Sequence, residues 1–224
     1  MIRSVLALAL LVPAPTLGVF AAMVWFPGTP LGKGVFVATK LWLFLLPVLW
    51  LRLVDREPLS LSPMRRGGLA AGALSGVGVG LLIVAAYRVL GPSLVDRTLF
   101  AGRMREVGLD AWQLYVGAAA YWVLVNSVLE EYVWRWFVCS RCEALVGPAA
   151  AAALSAFFFT LHHYFAVRTY FPVALALLCS AGVFVGGLVW SFLYLRYRSI
   201  WPAYSSHAIV DLAVFGTGAY VLWG

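Results

Sequence analysis

Among the ionisable side chains inside the long apolar runs of this sequence, where such groups are rarest, seven gather in its C-terminal half: Glu130, Glu131, Arg135, His162, His163, His207 and Asp211. All three histidines of the chain are among them. A charge at the centre of a bilayer costs at least about 2.5–3.5 kcal/mol, so three in the run Asn126-Ser-Val-Leu-Glu130-Glu131-Tyr-Val-Trp-Arg135 require compensation or a task. The types suggest the task. A carboxylate and an imidazole side by side can take a proton from water, and an arginine or a second imidazole can answer a developing negative charge.

Spacing sorts these groups into partners. Glu131 and Arg135 are four residues apart and can pair along one helix face. Glu130 is rotated by about 100° from Glu131 and has to find a partner on another helix. His207 and Asp211 share a face at the same spacing of four. His162 and His163 point about 100° apart, so one of them faces Glu130 more squarely, and each follows a phenylalanine by four residues (Phe158 and Phe159).

The elements that carry these residues are transmembrane helices. Of 224 residues 63% are hydrophobic and 11% charged, with a mean hydropathy of +0.93; soluble domains carry about 25% charged residues. Seven apolar runs approach or exceed the roughly 20 residues needed to cross a bilayer, at about 4–26, 35–54, 69–90, 112–139, 148–166, 171–195 and 202–223. The expected fold is therefore all-α, a polytopic transmembrane bundle. Residues 1–111 supply three spans and a loop, and residues 112–224 a four-helix core holding every candidate site residue. Gly72, Gly76 and Gly80 on the third span, Gly182 and Gly186 on the sixth, and Ala149–Ala153 on the fifth read as close-packing surfaces. Eight basic residues fall on one side of this topology and seven, Lys40 among them, on the other. That is a slight excess toward a cytoplasmic N-terminus. The expected location is the cell membrane of a prokaryote.

Depth brings the polar residues together. Glu130 lies about nine residues from the end of the fourth span and His207 about five from the start of the seventh, on one side. At 1.5 Å per residue both sit roughly 8–14 Å below that face. His162 and His163 reach slightly past the middle of the fifth span, so one polar cavity can hold all of them.

Three motifs, each within a span and in this order, carry a resemblance. Glu130-Glu131-x-x-x-Arg135, Phe-x-x-x-His ending at His162 or His163, and His207-x-x-x-Asp211 together resemble those of the CAAX protease and bacteriocin-processing family of intramembrane glutamic endopeptidases. Asp211 departs from that pattern, since many members carry asparagine there. The resemblance implies that Glu130 and the histidine of the second motif activate water, that His207 and residue 211 face the oxyanion, and that Glu131 and Arg135 support the site. The register of relatives with paired histidines favours His163. An ionised Asp211 can only accept hydrogen bonds, so its expected task is to hold His207 in a donating tautomer.

The expected substrate is a membrane-anchored or membrane-associated peptide or protein, with the bilayer as the other partner and no nucleic acid. The net charge of +7 is scattered through loops, as on anionic lipid. No cofactor and no metal are expected. Two other readings stand beside this one: a non-catalytic bacteriocin-immunity or scaffold protein using the charges for packing, and a zinc peptidase with two histidines and a carboxylate as ligands. Cys139 and Cys142 form a C-x-x-C with no βαβ pattern around it, and read as small apolar side chains near a helix end.

Overall fold

A computed structural model describes residues 1–60 and 62–224. The described residues form eight helices and no strand: α1 (Ile2–Trp25), α2 (Pro30–Asp55), α3 (Leu69–Leu94), α4 (Arg97–Glu106), α5 (residues 112–146), α6 (Pro148–Tyr170), α7 (Val173–Tyr197) and α8 (Ile200–Trp223). Six of them, all but α4 and α5, are long and apolar enough to cross a membrane. The chain is a multi-pass membrane protein. Expected span four corresponds to α5, helical from end to end; its Asn126, Glu130, Glu131 and Arg135 dilute the apolar character that the other six retain.

Local chemistry sets the boundaries. Thr29 caps α2 by accepting from the Gly32 N–H, with Pro30 in the first turn, where its missing donor is harmless. Gly147 ends α5 with φ +79° and Pro148 begins α6. Ser199 caps α8 by accepting from the Trp201 N–H. The stretch between spans three and four, expected as a loop, contains α4. Asp96 caps it through the N–H groups of Thr98 and Leu99. Arg97 then ties it to the carbonyls of Tyr220 and Gly224 at the end of α8.

Small residues set the close approaches, as the spacing of Gly72, Gly76 and Gly80 predicts. These three are buried in the α3–α8 contact. A Cβ at Gly76 would stand 2.7 Å from the Ser206 carbonyl oxygen, next to His207. The sixth-span expectation needs correction. Gly182 has open space beside it, and the close contact is made by Gly187, whose absent side chain admits Ala156 of α6. Of the alanine run, Ala151 and Ala152 are fully buried. Outward-facing Leu74, Leu82 and Val89 are exposed, as apolar side chains in contact with lipid tails should be.

The interior of α5 is irregular where the site lies. Trp122–Asn126 and Tyr132–Cys139 are π-helical, and the five-residue α-helical turn Ser127–Glu131 sits between them. π-Helical insertions are uncommon and concentrate at functional sites. Here they bracket the diglutamate and turn Asn126, Glu130, Glu131 and Arg135 all inward, each buried.

Candidate active site

Glu131 is the hub of a buried ionic network. One carboxylate oxygen, Oε1, lies 2.8 Å from His207 Nδ1. The other, Oε2, is 3.4 Å from Arg135 Nε, an ion pair without well-formed hydrogen-bond geometry. Neither Glu131 nor Arg135 is exposed at all. The remaining surface of the guanidinium is covered by rings: Phe159 and Trp190 stand 4.8 and 5.1 Å from its carbon, and the Gly187 carbonyl is 3.5 Å from Nη2. A desolvated cation against aromatic faces gains about 2 kcal/mol or more, which helps to keep this charge inside.

His207 is held on one face by stacking and at one nitrogen by Glu131. Trp190 stacks on the ring with centroids 3.7 Å apart and planes 14° from parallel. The Trp190 indole N–H donates to Ser206 Oγ at 3.1 Å, which fixes the indole in turn. The second imidazole nitrogen, Nε2, points between Glu130 Oε2 and Asp211 Oδ1, 3.7 Å from each. The closest orienting bond therefore comes from Glu131, not from Asp211 as the sequence suggested. Asp211 is itself held by Ser127, whose Oγ lies 2.7 Å from Oδ2. The same hydroxyl is 2.8 Å from the Trp122 carbonyl, five residues back, a contact that the π-helical turn makes possible.

On the other side of Glu130 lie the paired histidines. Ligand atoms of Glu130, His162 and His163 all fall within 4.8 Å of one another. His163 Nδ1 lies 2.8 Å from the Phe159 carbonyl; as a donor there it leaves Nε2 free to accept a proton. His162 is buried against Trp134, ring on ring at 5.3 Å, and its Nδ1 has no partner. Glu130 and His163 act on each other electrostatically, whereas His162 feels mainly His163 and Lys40. Phe159 touches His162, His163, Trp190 and His207. Phe158 lies instead beside an apolar groove lined by Val5, Leu8 and Cys142. Of the two possible registers of Phe-x-x-x-His, the one from Phe159 to His163 has its phenylalanine inside the cluster.

All seven residues expected from the sequence thus converge from α5, α6 and α8. The sequence reasoning missed four contributors. Ser127, Ser206 and Trp190 carry no charge and gave no signal. Lys40 did: it is a cation well inside the second apolar run. It lies ten residues into α2, half-buried, with a cation–π contact to Phe36. Its charge reaches Glu130, His162 and His163. Cys139 and Cys142 are free and buried.

Residues 112–213 match the family model described as type II CAAX prenyl endopeptidase Rce1-like. The match takes in α5, α6, α7 and the part of α8 that carries His207 and Asp211, and leaves α1 to α4 outside. No curated protein and no solved structure matches the chain.

Proposed function

We propose, on the premise that residues 112–213 belong to the Rce1-like type II CAAX prenyl endopeptidase family, a family of peptidases, that this chain is an intramembrane endopeptidase in which Glu130 and His163 activate water. Its substrate is a peptide bond in a membrane-associated peptide or protein. The observation that carries this reading is the juxtaposition of the Glu130 carboxylate with two imidazoles in the interior of the bundle.

The division of labour follows from the contacts. A water between Glu130 and His163 Nε2 gives its proton to the carboxylate as its oxygen attacks the scissile carbonyl. The C–N bond then breaks, and the proton passes to the leaving amine. His207, with Nδ1–H donated to Glu131, offers an Nε2–H toward the gap beside Glu130 when doubly protonated, where a tetrahedral oxyanion would form. Glu131 and Arg135 hold His207 in place. Asp211, fixed by Ser127, sets the other wall of that gap. α5, α6 and α8 supply these groups, and α2 adds the positive charge of Lys40.

The same three ligand atoms favour a second reading, a zinc hydrolase with Glu130, His162 and His163 as ligands. One experiment separates the two: turnover of Glu130→Gln beside metal analysis of the purified wild type. The glutamate mechanism expects an inserted, stable, inactive variant and a wild type that survives chelators without stoichiometric metal. About one zinc per chain, with activity lost on its removal, would overturn it, and so would substantial cleavage by Glu130→Gln.

A further inference from the structure

A polar cavity lies at one end of the bundle, and none of the seven site residues lines it. It has a volume of about 380 Å³ and is enclosed by the segment joining α2 to α3, by Trp136 of α5, and by the last turn of α7. Its lining includes Arg65, Arg66 and Arg198, and no acidic residue. Arg198 is held by Glu143 through two hydrogen bonds of 2.6 and 2.7 Å. Arg65 and Arg66 are exposed and have no carboxylate partner among the described residues. The cavity wall therefore carries uncompensated positive charge.

The backbone around the cavity is built, not slack. Three non-glycine residues of the described chain have positive φ: Arg56, Ser62 and Arg198, at +59°, +52° and +53°. Two of them line the cavity and the third opens the connecting segment. At Arg56 and Arg198 this is a common way to end a helix, whereas at Ser62 it costs on the order of 1–2 kcal/mol and persists only where its surroundings impose it. Here they do. Ser62 is buried, its carbonyl accepts from Ser199 Oγ at 2.7 Å, and its own Oγ accepts from the Ile200 N–H at 3.0 Å. Gly67 and Gly68, also at positive φ, let the Tyr197 ring lie so close that a Cβ at Gly68 would meet it.

The location supplies the ligand class. Trp136, Tyr194 and Tyr197 are the aromatic residues expected at headgroup depth, with the Tyr194 hydroxyl fixed 2.8 Å from Ser140 Oγ. The same face gathers Arg3, which reaches the Val54 carbonyl, and Arg141, paired with Asp55. Basic pockets between helix ends at this depth suit lipid phosphates, and guanidinium groups bind phosphate oxygens in pairs. We infer that this cavity is a binding site for the phosphodiester headgroup of an anionic membrane lipid, held by Arg65 and Arg66, which joins the α2–α3 segment to α5 and α7. The inference is independent of the catalytic reading, because it concerns different residues and is tested without any measurement of cleavage.

The test is thermal stability of the purified full chain in neutral detergent. Phosphatidylglycerol, phosphatidylcholine of the same acyl chains, or inorganic phosphate is added at equal concentration, and native mass spectrometry counts retained lipid. Wild type should be stabilised by several degrees by phosphatidylglycerol alone and should retain it. Arg65→Gln/Arg66→Gln, whose parent side chains are exposed and unpaired, should keep the lipid-free Tm but lose both effects. Lys33→Gln on the opposite face should keep them. An undiminished shift in the double variant, or an equal shift with phosphatidylcholine, would overturn the site. An equal shift with inorganic phosphate would show a free-anion site instead of a lipid site.

Discussion

Replacing Glu131 by glutamine tests the ionic network most directly, because the change keeps the shape and removes one charge. Arg135 is then left with no exposed surface and no anion. Its contacts become the Gly187 carbonyl at 3.5 Å and the two rings near 5 Å. Breaking a buried pair from one side costs about 3–5 kcal/mol; with the rings still in place the lower end, about 3 kcal/mol, is expected. At about 2–4 °C per kcal/mol for a chain of this size, Tm should fall by about 6–12 °C. Arg135→Met alone should cost less, since Glu131 retains His207 Nδ1 at 2.8 Å. The double variant removes both charges and should recover most of the loss, giving a coupling of at least about 2 kcal/mol in a double-mutant cycle. Turnover should not recover with it. A neutral amide holds the imidazole less firmly than a carboxylate does, charge-assisted bonds being roughly twice as strong, so about tenfold lower turnover should persist in both Glu131→Gln variants. Thermal denaturation in detergent and a fluorogenic peptide assay would measure the two quantities on the same preparations. Additivity of the single changes to within about 0.5 kcal/mol, or wild-type turnover in the double variant, would refute the reasoning.

Three further outcomes are expected. His163→Ala should abolish turnover with little change in Tm, whereas His162→Ala, which removes the ring stacked on Trp134, should lower Tm more than turnover; parallel assays of the two check this, and the opposite pattern reverses the assignment. Asp211→Asn should keep much of the activity because the amide oxygen can still meet Ser127 Oγ, while Asp211→Ala should lose about 10- to 100-fold, as lost supporting contacts commonly do; equal behaviour of the two would remove Asp211 from its positioning role. Lys40→Met should lower turnover several-fold, because it removes the positive charge that acts on Glu130, His162 and His163, and Lys40→Arg should preserve it in the same assay.

Membrane residence, helical class and the membership of the buried polar cluster were legible in the sequence, because each rests on a rule that acts locally. An apolar run long enough to span has to be helical to satisfy its backbone. Within such a run a glutamate, histidine or arginine stands out whatever the neighbouring helices do. The glycines of α3 were readable for the same reason, since their spacing alone defines a face. The order of contacts was not. Whether Glu131 or Asp211 holds His207 depends on how α5 and α8 are turned toward each other, and the π-helical segments of α5 alter that rotation by amounts no regular periodicity contains. Gly187 rather than Gly182 packs against α6 because of how α7 rolls against its neighbour. Lys40 was visible as a charge, but its association with Glu130 depends on α2 meeting α5 across about 90 residues of intervening chain. The basic cavity likewise exists only once residues near 62, 136 and 198 meet at one end of the bundle. Residue type and local period were enough to name the groups that could do chemistry; rotation and depth between helices, set by packing over long sequence separations, decided which of them touch.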